Sequence, residues 1–126
     1  MTVEDDDLPI PKDASFPTNE YSLCDKASQQ VIKFASNTNI NRRYWLVGRQ
    51  AAVVDLRIAH GSISRKHACF YCSSSNQLVL QHLGGKHGTH VNGQRVEGSL
   101  TLTSGDVICF GKVTERAFVV VKQKQQ

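Results

Sequence analysis

Long apolar runs are missing from this 126-residue chain; the longest extend only a few residues, so no segment can span a bilayer as a helix. The N-terminus, MTVEDDDLPIPKD, has no apolar stretch of the kind a secretory leader needs, so none is expected. It also lacks the arginine-rich, acid-poor character of a mitochondrial presequence. No window of a dozen residues holds the i, i+3, i+4, i+7 apolar pattern of an amphipathic helix. Proline is scarce, and all three (Pro9, Pro11, Pro17) fall within the first 19 residues beside an acidic run. That segment, residues 1–19, is expected to be a disordered lead-in, and residues 123–126 a polar tail. Four cysteines (Cys24, Cys69, Cys72, Cys109) would permit two disulfides, but with no leader and an adequate core, reduced thiols are expected.

What is present has the pattern of strands. Short runs rich in β-branched and aromatic residues recur between Gly, Asn and Ser punctuation. Ten candidates are Tyr21–Asp25, Gln30–Phe34, Tyr44–Gly48, Asp55–Arg57, His67–Ser73, Leu78–His82, Thr89–Val91, Leu100–Leu102, Val107–Phe110 and Ala117–Lys122. Such a series predicts an all-β domain over residues 20–122, a two-sheet sandwich or a barrel. The formal charge is +4, and because Glu4, Asp5, Asp6 and Asp7 crowd one end, the remainder is more basic than the total implies. A basic domain calls for an acidic partner: nucleic acid, anionic lipid or a phosphorylated protein.

Three loops concentrate groups suited to a phosphate. Gly48-Arg49 ends one strand, and an arginine there presents a planar donor fork from a rigid base. Gly61-Ser62-Ile63-Ser64-Arg65-Lys66-His67 supplies hydroxyls and cations. Gly84-Gly85-Lys86-His87-Gly88-Thr89-His90-Val91-Asn92-Gly93 can expose backbone N–H groups as an anion nest. Their order, with about fourteen residues from GR to SRKH, about twenty more to HGTHVNG and then SGDVICFG, resembles the forkhead-associated (FHA) domain family across residues 20–122.

The resemblance implies a β-sandwich of about eleven strands with binding loops at one end, acting on phosphothreonine in a partner protein, with no cofactor and no catalytic residue. Arg49 and Ser64 match its phosphate-binding positions, with Arg65 and Lys86 as further phosphate contacts. His87, Thr89 and Asn92 fall at peptide-binding positions, and Gly48, His67, Gly88 and Gly93 at positions that shape or brace the loops. His87 stands where many members have Asn. That His, together with Thr114-Glu115-Arg116-Ala117-Phe118, is similar to a nuclear branch concerned with RNA processing and phosphatase regulation. The expected particle is a monomer, nuclear, with no attachment to membrane.

Rival chemistries fit less well. Cys69-Phe70-Tyr71-Cys72 has the gap of a zinc half-site, yet residues three apart in a strand face opposite ways and no second pair follows. A metal trio of His82, His87 and His90 has no supporting ligand spacing. Gly84-Gly85-Lys86-His87 lacks the Ser or Thr and the helix of a nucleotide-binding P-loop. Ser64 and His67 have no acid placed to complete a hydrolase triad. Two alternatives remain: a basic β-domain binding RNA or single-stranded nucleic acid, which would need exposed aromatics whereas Tyr44-Trp45-Leu46-Val47 reads as core-bound strand, and a scaffold indifferent to phosphate.

Overall fold

A computed structural model describes residues 8–35, 42–113 and 116–123. Eleven strands are found among them: β1 (Tyr21–Asp25), β2 (Val31–Lys33), β3 (Trp45–Gly48), β4 (Leu56–Arg57), β5 (Ala68–Cys72), β6 (Leu78–His82), β7 (Thr89–Val91), β8 (Gln94–Arg95), β9 (Ser99–Thr101), β10 (Val107–Phe110) and β11 (Phe118–Lys122). They form a six-stranded sheet in the order β2-β1-β11-β10-β7-β8 and a five-stranded sheet in the order β4-β3-β5-β6-β9. All pairings are antiparallel except β3 with β4. The all-β sandwich expected from the sequence is what the chain adopts. No helix among the described residues is long and apolar enough to cross a membrane.

Alternation of side chains builds the interior. Tyr21 and Leu23 of β1, Ile108 and Phe110 of β10, and Phe118 and Val120 of β11 enter one core with Trp45, Val47, Phe70 and Leu80 of the facing sheet. Strands β3 and β5 are buried on both faces, which is why they read as unbroken apolar runs rather than alternating ones. Their second face carries Leu46, Cys69 and Tyr71, joined by Tyr44, Val54 and Val79. Cys69 and Cys72 therefore serve different clusters on opposite faces of β5, and all four cysteines are free. Burial pushes the Cys69 thiol up to about 12, so it stays an inert apolar group.

The second cluster corrects the expectation for residues 1–19. Residues 8–19 are part of the folded unit: Ser15 exchanges backbone hydrogen bonds with Cys72, N to O at 3.0 Å and 2.8 Å. Ala14 is buried, and Leu8 and Ile10 pack on the same cluster. A few well-spaced apolar residues suffice because the sheet already presents an apolar face to cover. Residues 1–7, with the acidic run, lie outside the described residues, as do 124–126 of the expected tail and Thr114 and Glu115.

Edge-on and tilted ring contacts link the core to the loop end: Phe34 to Trp45 at 4.8 Å, Trp45 to Phe70 at 5.8 Å, Phe70 to Phe110 at 6.5 Å, and Phe110 to His67 at 6.1 Å. The loop that carries Ser64 is thereby seated on packed aromatics. Arg116 bonds Asp25 at 3.0 Å and lies over the Phe118 ring, tying the start of β11 to the end of β1.

Candidate phosphate-binding loops

The end of β3 is fused to the segment that follows β4. His67 N donates to Val47 O at 2.8 Å, Arg49 N to Ser64 O at 3.0 Å, and Gln50 N to Arg65 O at 3.3 Å. Gly48 is required here by contact: a Cβ on it would lie 2.1 Å from Arg65 O. Arg49 then extends past the strand, exposed, with its Nε–H donating to Ile63 O at 2.9 Å. Its Nη groups make no hydrogen bond to the described residues, and no carboxylate among them pairs with it. Arg57 locks the base of this turn by donating from Nε to Arg49 O at 3.1 Å.

Ser64 is half-buried, and its backbone N–H donates to Nδ1 of His67 at 3.0 Å. Because Nδ1 accepts, the proton of the neutral ring sits on Nε2, which donates to Gly88 O at 2.8 Å. His67 is 0% exposed and spans two loops with its two nitrogens. Burial first, then the neighbouring His82 and His87, hold its pKa below the ordinary imidazole value against the opposing bond to Gly88. With both nitrogens committed, His67 cannot take a proton from the Ser64 hydroxyl, so the pair is not a nucleophile and base.

The third loop folds back on the second. Gly85, at φ 103°, sits so close to His67 that a Cβ would come within 2.8 Å of its ring. Gly88 O accepts from Gly111 N at 2.9 Å as well as from His67. Lys86 and His87 occupy the turn between, Lys86 exposed and His87 half-buried. Partial desolvation, and then the charges of Lys112, Lys86, Arg95 and His60, depress the His87 pKa. Arg65, Lys66 and Ser64 line a depression of about 460 Å³ together with Gln50, Leu83 and Gly84.

The structure thus brings Arg49, Ser64, Arg65, Lys86, His87, Gly48, His67 and Gly88 to one end of the sandwich. Two expected peptide contacts lie elsewhere. Thr89 is 0% exposed and its Oγ1 is bonded to His82 Nδ1 at 2.8 Å, so it braces the loop from inside. Asn92 lies at the other end of β7, where its amide donates to Asp106 Oδ1 and accepts from Val107 N, both at 3.0 Å. With φ of 53° and 83°, Asn92 and Gly93 form the two-residue turn of the β7–β8 hairpin. Sequence inspection missed β8, and with it Arg95, which the Asn-Gly signal places opposite His90. It also passed over Lys112, whose N–H donates to Ser62 Oγ at 2.8 Å. Tyr44 and Trp45, expected to be core-bound, are each 2% exposed, and every Phe, Tyr and Trp is buried or half-buried, which leaves no exposed aromatic for stacking nucleic acid. Among the described residues no group of three His, Cys, Asp or Glu side chains is placed to hold a metal ion.

A model of the FHA domain matches residues 45–111. The Protein phosphatase 1 regulatory inhibitor subunit PPP1R8 homolog of Arabidopsis thaliana is 31% identical over 72 residues, 55% of this chain and 20% of that protein. The chain therefore spans about a fifth of that relative. Among solved structures, the FHA domain of CT664 from Chlamydia trachomatis superposes with a TM-score of 0.66 at 25% identity, covering 82% of this chain and 98% of that one. The N-terminal FHA domain of S. cerevisiae Rad53p, solved with a phosphothreonine peptide, gives 0.68 at 22% identity, covering 82% and 94%.

Proposed function

The chain belongs to the FHA domain family, and from that premise we propose that it docks a partner protein through a phosphothreonine held between Arg49 and Ser64. The observation that carries this is the anchoring of Arg49. Its Nε–H is fixed on Ile63 O, one residue from Ser64, while its Nη donors have no acidic partner among the described residues. A phosphothreonine brings about −1.5 to −2 charges and three strong acceptor oxygens, which match a guanidinium fork, a hydroxyl and adjacent cations. Arg65 and Lys86 add positive charge at the rim, and His87 reaches the peptide beside the phosphate. We assign the module no catalytic step: both His67 nitrogens beside Ser64 are held in structural bonds, and the Ser62 hydroxyl, bonded to His60, also accepts from Lys112 N. A nuclear setting is proposed from the resemblance of His87-Gly88-Thr89 and Thr114–Phe118 to the nuclear branch, and the similarity to a phosphatase regulatory subunit homolog is consistent with that branch. We assign the fold a monomeric state.

One phosphate and a few peptide contacts correspond to roughly micromolar affinity, on the order of −8 kcal/mol. Removing a charge-assisted contact costs about 2–3 kcal/mol, so Arg49→Ala is expected to weaken binding by roughly 30- to 150-fold. The test is an NMR titration with phosphothreonine peptides and their unphosphorylated twins. Shifts at Arg49, Ser64–Arg65 and Lys86–Gly88 with phosphorylated peptides alone, lost in Arg49→Ala, are the expected result. Shifts with RNA and none with any phosphopeptide would overturn it in favour of nucleic-acid binding.

A further inference from the structure

The positive charge at the loop end extends beyond the phosphate pair, in a second lobe. Lys86 and His87 come from the β6–β7 turn, Arg95 from β8, Lys112 from the β10–β11 turn and His60 from the loop after β4. Backbone and side-chain bonds gather these separate elements. Arg95 Nη2 donates to Lys86 O at 3.3 Å, and its guanidinium carbon lies 3.0 Å from where a Gly88 Cβ would be. Gly111 N bonds Gly88 O at 2.9 Å, and Lys112 N bonds Ser62 Oγ at 2.8 Å, with His60 Nδ1 on the same hydroxyl at 2.8 Å.

Four of the described carboxylates are engaged away from this lobe. Asp25 is paired with Arg116 and Asp55 with Arg42, while Asp106 bonds Asn92 and Thr103 N, and Glu20 bonds Asn76. Glu97, two residues on from Arg95, is exposed and forms no ion pair with a described residue. Among the described residues no salt bridge reaches Lys86, Arg95 or Lys112. Exposed cations kept together without counter-charge repel one another, and an anion entering among them gains the attraction they lack.

We propose that Lys86, Arg95 and Lys112 form a second anion-binding lobe that selects partners carrying a further acidic or phosphorylated side chain close to the phosphothreonine. This rests on the Arg49–Ser64 phosphate site and names its flanking preference. Lys112 N donates to Ser62 Oγ, two residues from Ser64, so the lobe adjoins the loop that carries the phosphate site and would meet side chains flanking the phosphothreonine. An acidic side chain brings a single charge to the lobe and a second phosphate brings nearly two, so the phosphate is the stronger ligand of the same chemistry.

The test is a peptide scan by fluorescence anisotropy. A phosphothreonine peptide with alanine at all flanking positions is compared with peptides bearing one Glu, or one phosphoserine, at each position within four residues on either side. The readout is the ratio of the Kd of the all-alanine peptide to that of each anionic peptide, for the native chain and for Lys112→Ala, Arg95→Gln and the double variant. At one or two adjacent positions the ratio should be roughly three with Glu and ten with phosphoserine, shrinking toward one in the double variant and at high salt. A larger ratio with phosphoserine than with Glu marks a doubly phosphorylated partner; equal ratios mark an acidic one. Ratios near one at every position, or ratios that survive the double substitution, overturn the lobe while leaving the phosphate site intact. No binding of any phosphothreonine peptide overturns the phosphate site and the lobe with it.

Discussion

His67 holds the Ser64 loop to the Gly88 loop, and replacing it by leucine tests whether that brace organises the site. The substitution keeps an apolar body of similar size in a position that is 0% exposed but removes both ring nitrogens. Gly88 O keeps its bond from Gly111, so there the loss is one ordinary hydrogen bond, about 1 kcal/mol. Ser64 N–H loses the Nδ1 acceptor that it has now, which costs about 1–3 kcal/mol more. The expected total is ~2–4 kcal/mol, a large part of the 5–15 kcal/mol typical of a domain of this size. It is read from the urea midpoint at constant m-value. Phosphopeptide affinity should fall at least tenfold in the fraction that remains folded, because Ser64 no longer has a fixed backbone. The pH dependence has a definite sign. The folded pKa of His67 lies below its unfolded value of about 6.5, so its contribution is fully present above that pH and is lost as pH falls through the lowered value. His67→Leu should therefore flatten part of the stability decline below pH 6.5. A stability loss under about 0.5 kcal/mol together with affinity within twofold of the native chain would refute the brace.

Gly48→Ala puts a methyl 2.1 Å from Arg65 O, and the overpacking should cost about 1–3 kcal/mol and displace the Arg65 and Ser64 amide resonances; an unaltered melting temperature would show that the loop yields freely. Asp25 is pulled two ways: burial raises its pKa, but the bonds from Arg116 and Ala27 N win and hold it below the ordinary value. Its stabilisation is present above the unfolded pKa of about 3.8 and lost as pH falls through the lowered one. Arg116→Ala should therefore destabilise more at pH 7 than at pH 3, and an equal loss at both in urea melts would remove Asp25 from the account. Deleting residues 1–7 removes Glu4, Asp5, Asp6 and Asp7 and raises the formal charge from +4 to +8. Phosphopeptide binding at low salt should tighten, and an unchanged Kd would show that the acidic run does not compete with ligand. Cutting instead at residue 19 would strip Ala14 and Ser15 from β5 and confound the measurement with stability.

Local pattern made most of the sandwich legible. Val107-Ile108-Cys109-Phe110 alternates because its sheet turns one face to the core, whereas Leu78-Val79-Leu80 is buried on both faces; the bounds of both runs as read from sequence coincide with β10 and β6. The β8 strand escaped notice because two exposed polar residues, Gln94 and Arg95, carry no periodicity; only the Asn-Gly turn before them signals a hairpin. The packing of residues 8–19 was hidden for a related reason. Prolines and acidic neighbours give that segment the composition of a free end, and the apolar face it covers is assembled from β3, β5 and β6, far along the chain. At the site, the motif spacing pointed to Arg49 and Ser64 because each lies at a strand end within a short motif. Arg95 and Lys112 have no local motif, and only the tertiary bonds around Gly88 bring them together.

Those bonds also account for how the proposed binding site can be selective with few contacts. Four hydrogen bonds run between the three loops and the β10–β11 turn, Arg49 N to Ser64 O, His67 Nε2 to Gly88 O, Gly111 N to Gly88 O, and Lys112 N to Ser62 Oγ, and a fifth, Ser64 N to His67 Nδ1, fixes the second loop on itself. Each joins residues that would otherwise have to be ordered when ligand arrives. Ordering a rotamer-rich side chain on binding costs about 0.5–1.5 kcal/mol, so loops already fixed to one another spare the complex much of that loss. The energy of one phosphate contact can then appear as affinity. Exposed cations around the same loops that pair with no described carboxylate would add long-range attraction and discrimination, effects that screening by salt should reduce first. On the proposed reading, rigid backbone and free charge divide the work: the bonds around His67 would set where the phosphate sits, and the surrounding lysines and arginines would set which partners approach it.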